Sequence, residues 1–292
     1  MATWTFEAIG TRWEVDTAQP LDPTVQVAVL DVVERFDRGW SRFRSDSVVT
    51  AMGRAAGRWD GLDDAATLLD LYDQLHVATS GAMTPLVGRS LVELGYDAGY
   101  SLRPTGTTVV PDDWAALRRS GAVDLDGTTL VTDRPLLLDV GAAGKGLLVD
   151  RVAEVLAASE VGPFTVDASG DLLHRGEEIL RVALEHPRDP RRAVGVLELE
   201  PGQALCASAV NRRTWGEGLH HVVDGRTGRP TGDVVASWVR VASSCLRADG
   251  LATAHFFADP DVLLGLYPHD FVRIHADGRV LRSSDLPGEL FT

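Results

Sequence analysis

The pattern of apolar and polar positions divides the chain into an early helical part and a later, strand-rich part. Thr3 to Asp16 alternates apolar and polar residues, which predicts a strand bent at Gly10. Pro23 to Phe36 then sets Val25, Val27, Leu30, Val33 and Phe36 at helical spacing. Trp40 to Ser47 is a polar-aromatic loop. A second helix runs over Ala65–Ala78, with Leu68, Leu71 and Leu75 on its apolar face, and Gly81–Pro85 breaks it. Val87–Leu94 reads as a short helix, and Pro111–Arg119 as another, opened by proline and acidic residues as helix starts often are.

Ala122–Val131 has the chemistry of a hairpin turning at Asp126-Gly127. Leu136–Asp139 reads as a short strand that enters the glycine-rich turn Gly141–Gly146, followed by an amphipathic helix from about Leu147 to Ala158. Later strands are predicted at Phe164–Ala168, Ile179–Leu184, Val194–Leu199, Ala204–Ser208, His220–Val223 and Ala236–Ala242. A helix spans Ala248–Phe257, and a hairpin around Asp277-Gly278 joins Phe271–His275 to Arg279–Leu281. Without regular βαβ alternation, this order predicts an α+β fold of mixed or antiparallel sheets flanked by helices. No linker interrupts it, so residues 1–292 read as a single domain.

Composition narrows the function classes. An apolar fraction of 45% and a charged fraction of 24% are ordinary for a globular protein. A formal charge of −14 disfavours nucleic acid and anionic membrane as partners. A polyanionic ligand would then need helix N-termini, backbone N–H groups or a metal ion. The first residues carry no basic and apolar export pattern, and no apolar run is long enough to span a bilayer, so the expected location is cytoplasmic. Cys206 and Cys245, in no CxxC arrangement, read as buried reduced thiols. Of 28 basic residues, Lys145 is the only lysine. A compact ammonium kept where every other cation is a planar fork marks a position where guanidinium does not substitute.

Lys145 sits in the segment Leu138–Asp150, where a strand end, a glycine turn and a helix start follow one another. Such a turn suits phosphate or diphosphate. It is neither of two familiar phosphate loops. Asp139 stands where the P-loop needs glycine, Gly146 stands where it needs a hydroxyl, and glycines at 141, 144 and 146 do not fit G-x-G-x-x-G. A tight turn without ligand accounts for the same residues. In Cys245–His255, Asp249 and Thr253 lie four apart and share a helix face. A carboxylate and a hydroxyl form a hard oxygen pair suited to Mg²⁺, although a threonine bonding back to its own helix would look the same. His220–Pro230 carries histidines beside a Gly/Pro turn, where a general base can sit. Ala8–Thr11, Ser41–Phe43 and Ser80–Pro85 are small or glycine-containing interruptions, and Phe43 is suited to stack on an aromatic ring.

Taken in order, these segments resemble the ApbE family of flavin transferases from about residue 8 to about residue 257. The matching runs are Ala8-Ile-Gly-Thr11, Ser41-Arg-Phe43, Gly81-Ala-Met-Thr-Pro-Leu-Val-Gly88, Asp139–Gly146 with Asp150, Ala168-Ser-Gly-Asp171, His221–Pro230 and Ala248-Asp-Gly-Leu-Ala-Thr-Ala254. The resemblance implies an ApbE-like fold and a Mg²⁺-dependent FAD:protein FMN transferase. FMN would pass from FAD to a Thr or Ser hydroxyl of an intracellular acceptor flavoprotein, and AMP would leave. It implies metal binding by Asp249, Thr253 and the Gly144 carbonyl. It implies FAD contacts at Ile9, Phe43, Ala82, Met83, Thr84, Gly141, Lys145, Leu147 and His221. Asp249 and His221 are the implied catalytic residues, His221 as base or as a phosphate-positioning group. The chain departs from the family pattern at Thr84, where aspartate is usual, at Gly144, where alanine is usual, and at Ala207-Ser208-Ala209. Two other readings stay open: an FAD pyrophosphatase, with the same site and water as nucleophile, and, because of the departures at Thr84 and Ala207–Ala209, a non-catalytic FAD-binding protein. The expected assembly is a monomer or homodimer.

Overall fold

The computed structural model describes residues 1–291. Its centre is a sheet of eight strands: β1 (Ala2–Ala8), β2 (Thr11–Thr17), β3 (Phe164–Asp167), β4 (Asp171–Arg175), β5 (Gln203–Ala209), β6 (Val234–Ala242), β7 (Asp270–His275) and β8 (Val280–Arg282). Each pairs antiparallel with the next, so spatial order equals chain order. The predicted α+β class holds, and the pairings among the described residues are all antiparallel rather than mixed.

Four helices matter for the site: α1 (Pro23–Trp40), α2 (Ala65–Ala78), α3 (Gly144–Ala158) and α4 (Cys245–Ala254). Helix α1 starts on Asp22, whose carboxylate accepts the Thr24 N–H, with proline at the first turn. Period-two alternation sorts the strand residues between two cores. Leu173, Ala204, Cys206, Val239, Val241 and Phe271 face the helices. Leu172, Leu205, Trp238, Val272 and Ile274 face away, against Leu184, Leu197 and Leu199 of a three-stranded sheet formed by Leu180–His186, Asp189–Leu199 and Gly288–Leu290. Helix α4 lies between the main sheet and helices α2 and α3 and is buried at every position except Arg247. That burial puts Asp249 and Thr253 inside the protein.

Four sequence expectations change. Thr3–Asp16 is not one bent strand but the tight β1–β2 hairpin, reversed at Ile9 (φ 44°) and Gly10 (φ 75°). Such two-residue hairpin loops require positive φ at both positions, which is unusual for a β-branched residue. Leu136–Asp139 joins no ladder, because its N–H groups go singly to separate helical carbonyls, Leu136 to Met52 and Asp139 to Pro85. His220–Val223 breaks at His221 into two short pairings, Leu219–His220 and Val223–Asp224. Strand β4, which no alternation signals because it is buried on both faces, was not expected. Among the described residues no helix is long and apolar enough to cross a membrane.

Candidate active site

A cavity of about 670 Å³ opens between the β1–β2 turn, the loop after α1, the start of α3, the face of α4 and the 207–223 segment. Its volume is that of a typical small-molecule site. Ile9, Phe43, Met83, Thr84, Gly141, Gly144, Lys145, His221, Asp249 and Thr253 all line it. Ala82 and Leu147 do not. Both side chains are buried in the interior, and their N–H groups donate to Thr79 and Ala143 carbonyls. Leu147 lies two residues beyond Lys145, on the side of α3 that packs into the core, so its side chain is turned from the cleft.

The floor of the cleft joins α3 to α4. Helix α3 begins at Gly144, three residues earlier than the amphipathic pattern indicates, which brings the Gly146 N–H to donate to Asp249 Oδ2 at 2.9 Å. A Cβ on Gly146 would stand 2.3 Å from the Cys245 carbonyl oxygen and 2.7 Å from Asp249 Cβ, so only glycine allows the two helix starts to meet. Asp150 ties the same junction from the other side, accepting the Cys245 and Leu246 N–H groups at 2.8 and 3.1 Å. Burial pushes the Asp150 carboxyl up to about 6.

Lys145 does not pair with Asp139 or Asp150, its neighbours in sequence. Its Nζ lies 3.0 Å from Asp171 Oδ2 and donates to the Ala168 carbonyl at 2.9 Å. Burial works against its charge, but the Asp171 and Asp249 carboxylates outweigh it and hold the ammonium above the usual lysine range. Asp171 is fully buried, and neither of its oxygens accepts a well-formed hydrogen bond. It is the buried charge that sequence reasoning undervalued, present only as the end of a loose match. Two carboxylates against one ammonium leave this buried cluster with excess negative charge. Burial and Asp171 therefore push the Asp249 carboxyl well above the usual range.

Thr253 does not bond back to its own helix. Its hydroxyl lies 2.8 Å from the Ser208 hydroxyl on β5, so the run Ala207-Ser208-Ala209 retains a hydroxyl where one is useful. Thr84 Oγ1 accepts the Leu86 N–H and caps the turn Pro85–Val87, a local role that aspartate also fills. The glycine turn is closed to outside acceptors at most of its donors. Gly141 N–H donates to Asp139, Ala143 and Gly144 to the Val140 carbonyl, and Gly146 to Asp249. Asp139 is in turn held by the buried Arg42, whose charge overrides the burial that would otherwise raise the carboxyl, and keeps it below the usual range.

The opposite wall is aromatic. Phe43 stacks on Tyr100 with ring centres 5.1 Å apart, and Tyr96 stacks on Trp215 at 5.4 Å. The Arg42 guanidinium lies 4.2 Å from the Phe43 ring centre. His221 faces this wall, and its Nδ1 is buried without a partner. Burial first, then the charge of Arg213 and neighbouring His220, push His221 down to about 4, so it is neutral at physiological pH.

A deep cleft with one aromatic wall and one buried carboxylate cluster defines a ligand-binding protein for a molecule with a planar end and a polar, charged end. Sequence comparison gives the lineage. The chain belongs to the ApbE family, whose sequence model matches residues 9–271. A protein of Vibrio cholerae named FAD:protein FMN transferase is 29% identical over 246 residues, covering 79% of this chain and 72% of the relative. One of the same name from Klebsiella pneumoniae is 30% identical, covering 80% and 76%. Among solved structures, the flavin transferase ApbE of Vibrio cholerae superposes with a TM-score of 0.76 at 24% identity, and the ApbE protein of Thermotoga maritima with 0.77 at 22%, each covering 97% of both chains. These superpositions establish the shared fold.

Proposed function

We propose that this chain is a Mg²⁺-dependent flavin transferase that moves FMN from FAD to a Thr or Ser hydroxyl of an acceptor protein, with AMP as leaving group. The observation that carries the reading is Asp249, which lines a cleft that also offers an aromatic wall and lies in one buried cluster with Lys145 and the fully buried Asp171. The names of its relatives support the same activity.

The residues fit a hard divalent cation. Asp249 supplies a carboxylate, Thr253 a hydroxyl oriented by Ser208, and Gly144 lines the same pocket with its backbone. Among the described residues no group of three or more His, Cys, Asp or Glu side chains forms a metal cage. Binding would therefore be shared with water and with the ligand's own phosphate oxygens, as is usual for Mg²⁺. When bound, Mg²⁺ supplies charge neutralisation at the diphosphate during phosphoryl transfer.

The protein's own groups do the rest. The Arg42–Asp139–Gly141 chain fixes the glycine turn, and the Phe43–Tyr100 stack gives the planar end of the ligand an apolar face. His221 is neutral and lines the cleft, where an uncharged imidazole can help to orient the incoming hydroxyl. A pKa of about 4 makes it a weak base, better suited to aiming the hydroxyl than to carrying the proton away.

The test is incubation with FAD, with and without Mg²⁺, and with and without a peptide bearing a target threonine. AMP that appears only with Mg²⁺ and in step with flavin-labelled peptide supports the transferase. AMP released equally without peptide would make the chain a pyrophosphatase, and bound FAD with no AMP would make it a binding protein.

A further inference from the structure

We infer that Arg213 is the residue that holds the diphosphate of the ligand; this deepens the proposed function and rests on it. Five cations line the cleft: Arg42, Arg44, Lys145, Arg212 and Arg213. Four are already balanced by carboxylates. Arg42 pairs with Asp139, Arg44 with Asp37 and Asp46, Lys145 with Asp171, and Arg212 with Glu185. Among the described residues Arg213 has no carboxylate partner. Its only side-chain hydrogen bond is donated by Nη1 to the Tyr96 hydroxyl, and its guanidinium stands 5.7 Å from the Tyr96 ring centre.

That geometry leaves most of the guanidinium's donors free. The group is held on the aromatic wall, close to the β1–β2 turn: a Cβ on Gly10 would lie 3.8 Å from Arg213 Nη2. The other candidates for an anion are occupied. The N–H groups of Gly141, Ala143, Gly144 and Gly146 already have protein acceptors, and the Lys145 ammonium is held by Asp171 and Ala168. In a chain of formal charge −14, a polyanion needs a local positive group, and a planar fork suits two neighbouring phosphate oxygens. Sequence reading passed over Arg213 because it is one of many arginines and lies outside every recognised motif. What singles it out is the lack of a carboxylate in direct contact, which only the folded structure shows.

The experiment compares FAD with riboflavin, which carries the same ring and no phosphate, by flavin fluorescence in Mg²⁺ without acceptor. Arg213→Gln is expected to weaken FAD about tenfold to a hundredfold, the loss typical of a charge-assisted hydrogen bond, and to change riboflavin less than about twofold. Arg213→Lys keeps the charge and is expected to recover part of the FAD affinity. Equal weakening of both ligands would show that Arg213 only supports the aromatic wall, and unchanged FAD affinity would overturn the assignment outright. Wild-type protein that binds no FAD would overturn the proposed function and this assignment together.

Discussion

The hydroxyls of Ser208 on β5 and Thr253 on α4 meet at 2.8 Å in the wall of the cleft. Thr253 is thereby oriented by the sheet and not by its own helix. Ser208→Ala should leave the fold intact and lower the affinity for Mg²⁺ about tenfold or more, the usual effect of removing a group that orients a metal ligand. Titration calorimetry on the FAD-loaded protein measures it. Unchanged affinity would mean that Thr253 needs no such support or binds no metal.

Asp249 sets the electrostatic balance of the floor. Burial and Asp171 hold the Asp249 carboxyl well above its usual range, so its ionised form, which shares Lys145 with Asp171, is costly without a cation. Asp249→Asn keeps an acceptor for the Gly146 N–H and removes the repulsion. Without Mg²⁺ the variant should be more stable than wild type, by about 1 kcal/mol or more. Added Mg²⁺ should raise the melting temperature of the wild type only. A variant that still gains stability from Mg²⁺ would place the cation elsewhere.

Lys145 is the complementary case. Lys145→Met removes the only cation near two buried carboxylates, at a cost of about 3–5 kcal/mol. Adding Asp171→Leu should return much of that loss, because the second change removes the stranded charge. Denaturant melts of the single and double variants decide it. A double variant as unstable as the single one would show that the pair is held for packing rather than charge.

His255 and His269 predict the acid limb of stability. Their Nε2 atoms lie 2.9 Å apart, and His269 Nδ1 lies 2.7 Å from the Tyr267 carbonyl. If His269 donates from Nδ1, His255 must donate from Nε2, which leaves His255 Nδ1 as a buried lone pair, in keeping with its lack of a partner. Burial, then His269 and Arg273, bring His255 down to about 3. An unfolded histidine titrates near 6.5, so the native state binds fewer protons between those values. The stability is fully present above pH 6.5 and is lost as pH falls toward 3, by up to about 1.4 kcal/mol per pH unit for this group. His255→Gln should flatten that slope in melts at pH 7, 6 and 5, and an unchanged slope would exclude His255 as its source.

Ile9 carries left-handed backbone at the edge of the cleft. Ile9→Asn, suited to that conformation, should stabilise the hairpin by about 1 kcal/mol. The same change removes an apolar contact from the cleft and should weaken flavin binding. A gain in stability with no loss of binding would mean that isoleucine is not kept there for the ligand.

What the sequence revealed follows the range of the interactions. Asp249 and Thr253 were legible as a pair because helical periodicity puts residues four apart on one face, and Ala65–Ala78 was legible because its leucines repeat at that spacing. Long-range contacts were not. Asp171 reaches Lys145 only because β4 is laid beside β3, and the wall residues Tyr96 and Tyr100 are joined by Trp215, which stacks on Tyr96 from a distant segment. Leu136–Asp139 misled because an apolar run predicts burial but not the partner strand that would make it a ladder. The free N–H groups expected of the glycine turn were also misjudged, since Asp139 and Asp249 satisfy two of them from outside the turn.

The in-order sheet carries a consequence for synthesis of the chain. Strand β2 pairs with β3 through Glu14–Thr17 and Phe164–Asp167, so the first hairpin gains its sheet neighbour only after most of the helices have been made. Closing so long a loop is costly in chain entropy and slow. Until then the hairpin presents the open edge of β2 and the apolar side chains of Trp13 and Val15, which are fully covered in the finished protein. The cleft is completed later still, when α4 arrives with the second half of its floor. The nascent protein therefore passes through a stage in which its amino-terminal ribbon is unprotected, and folding helpers would have most to shield there.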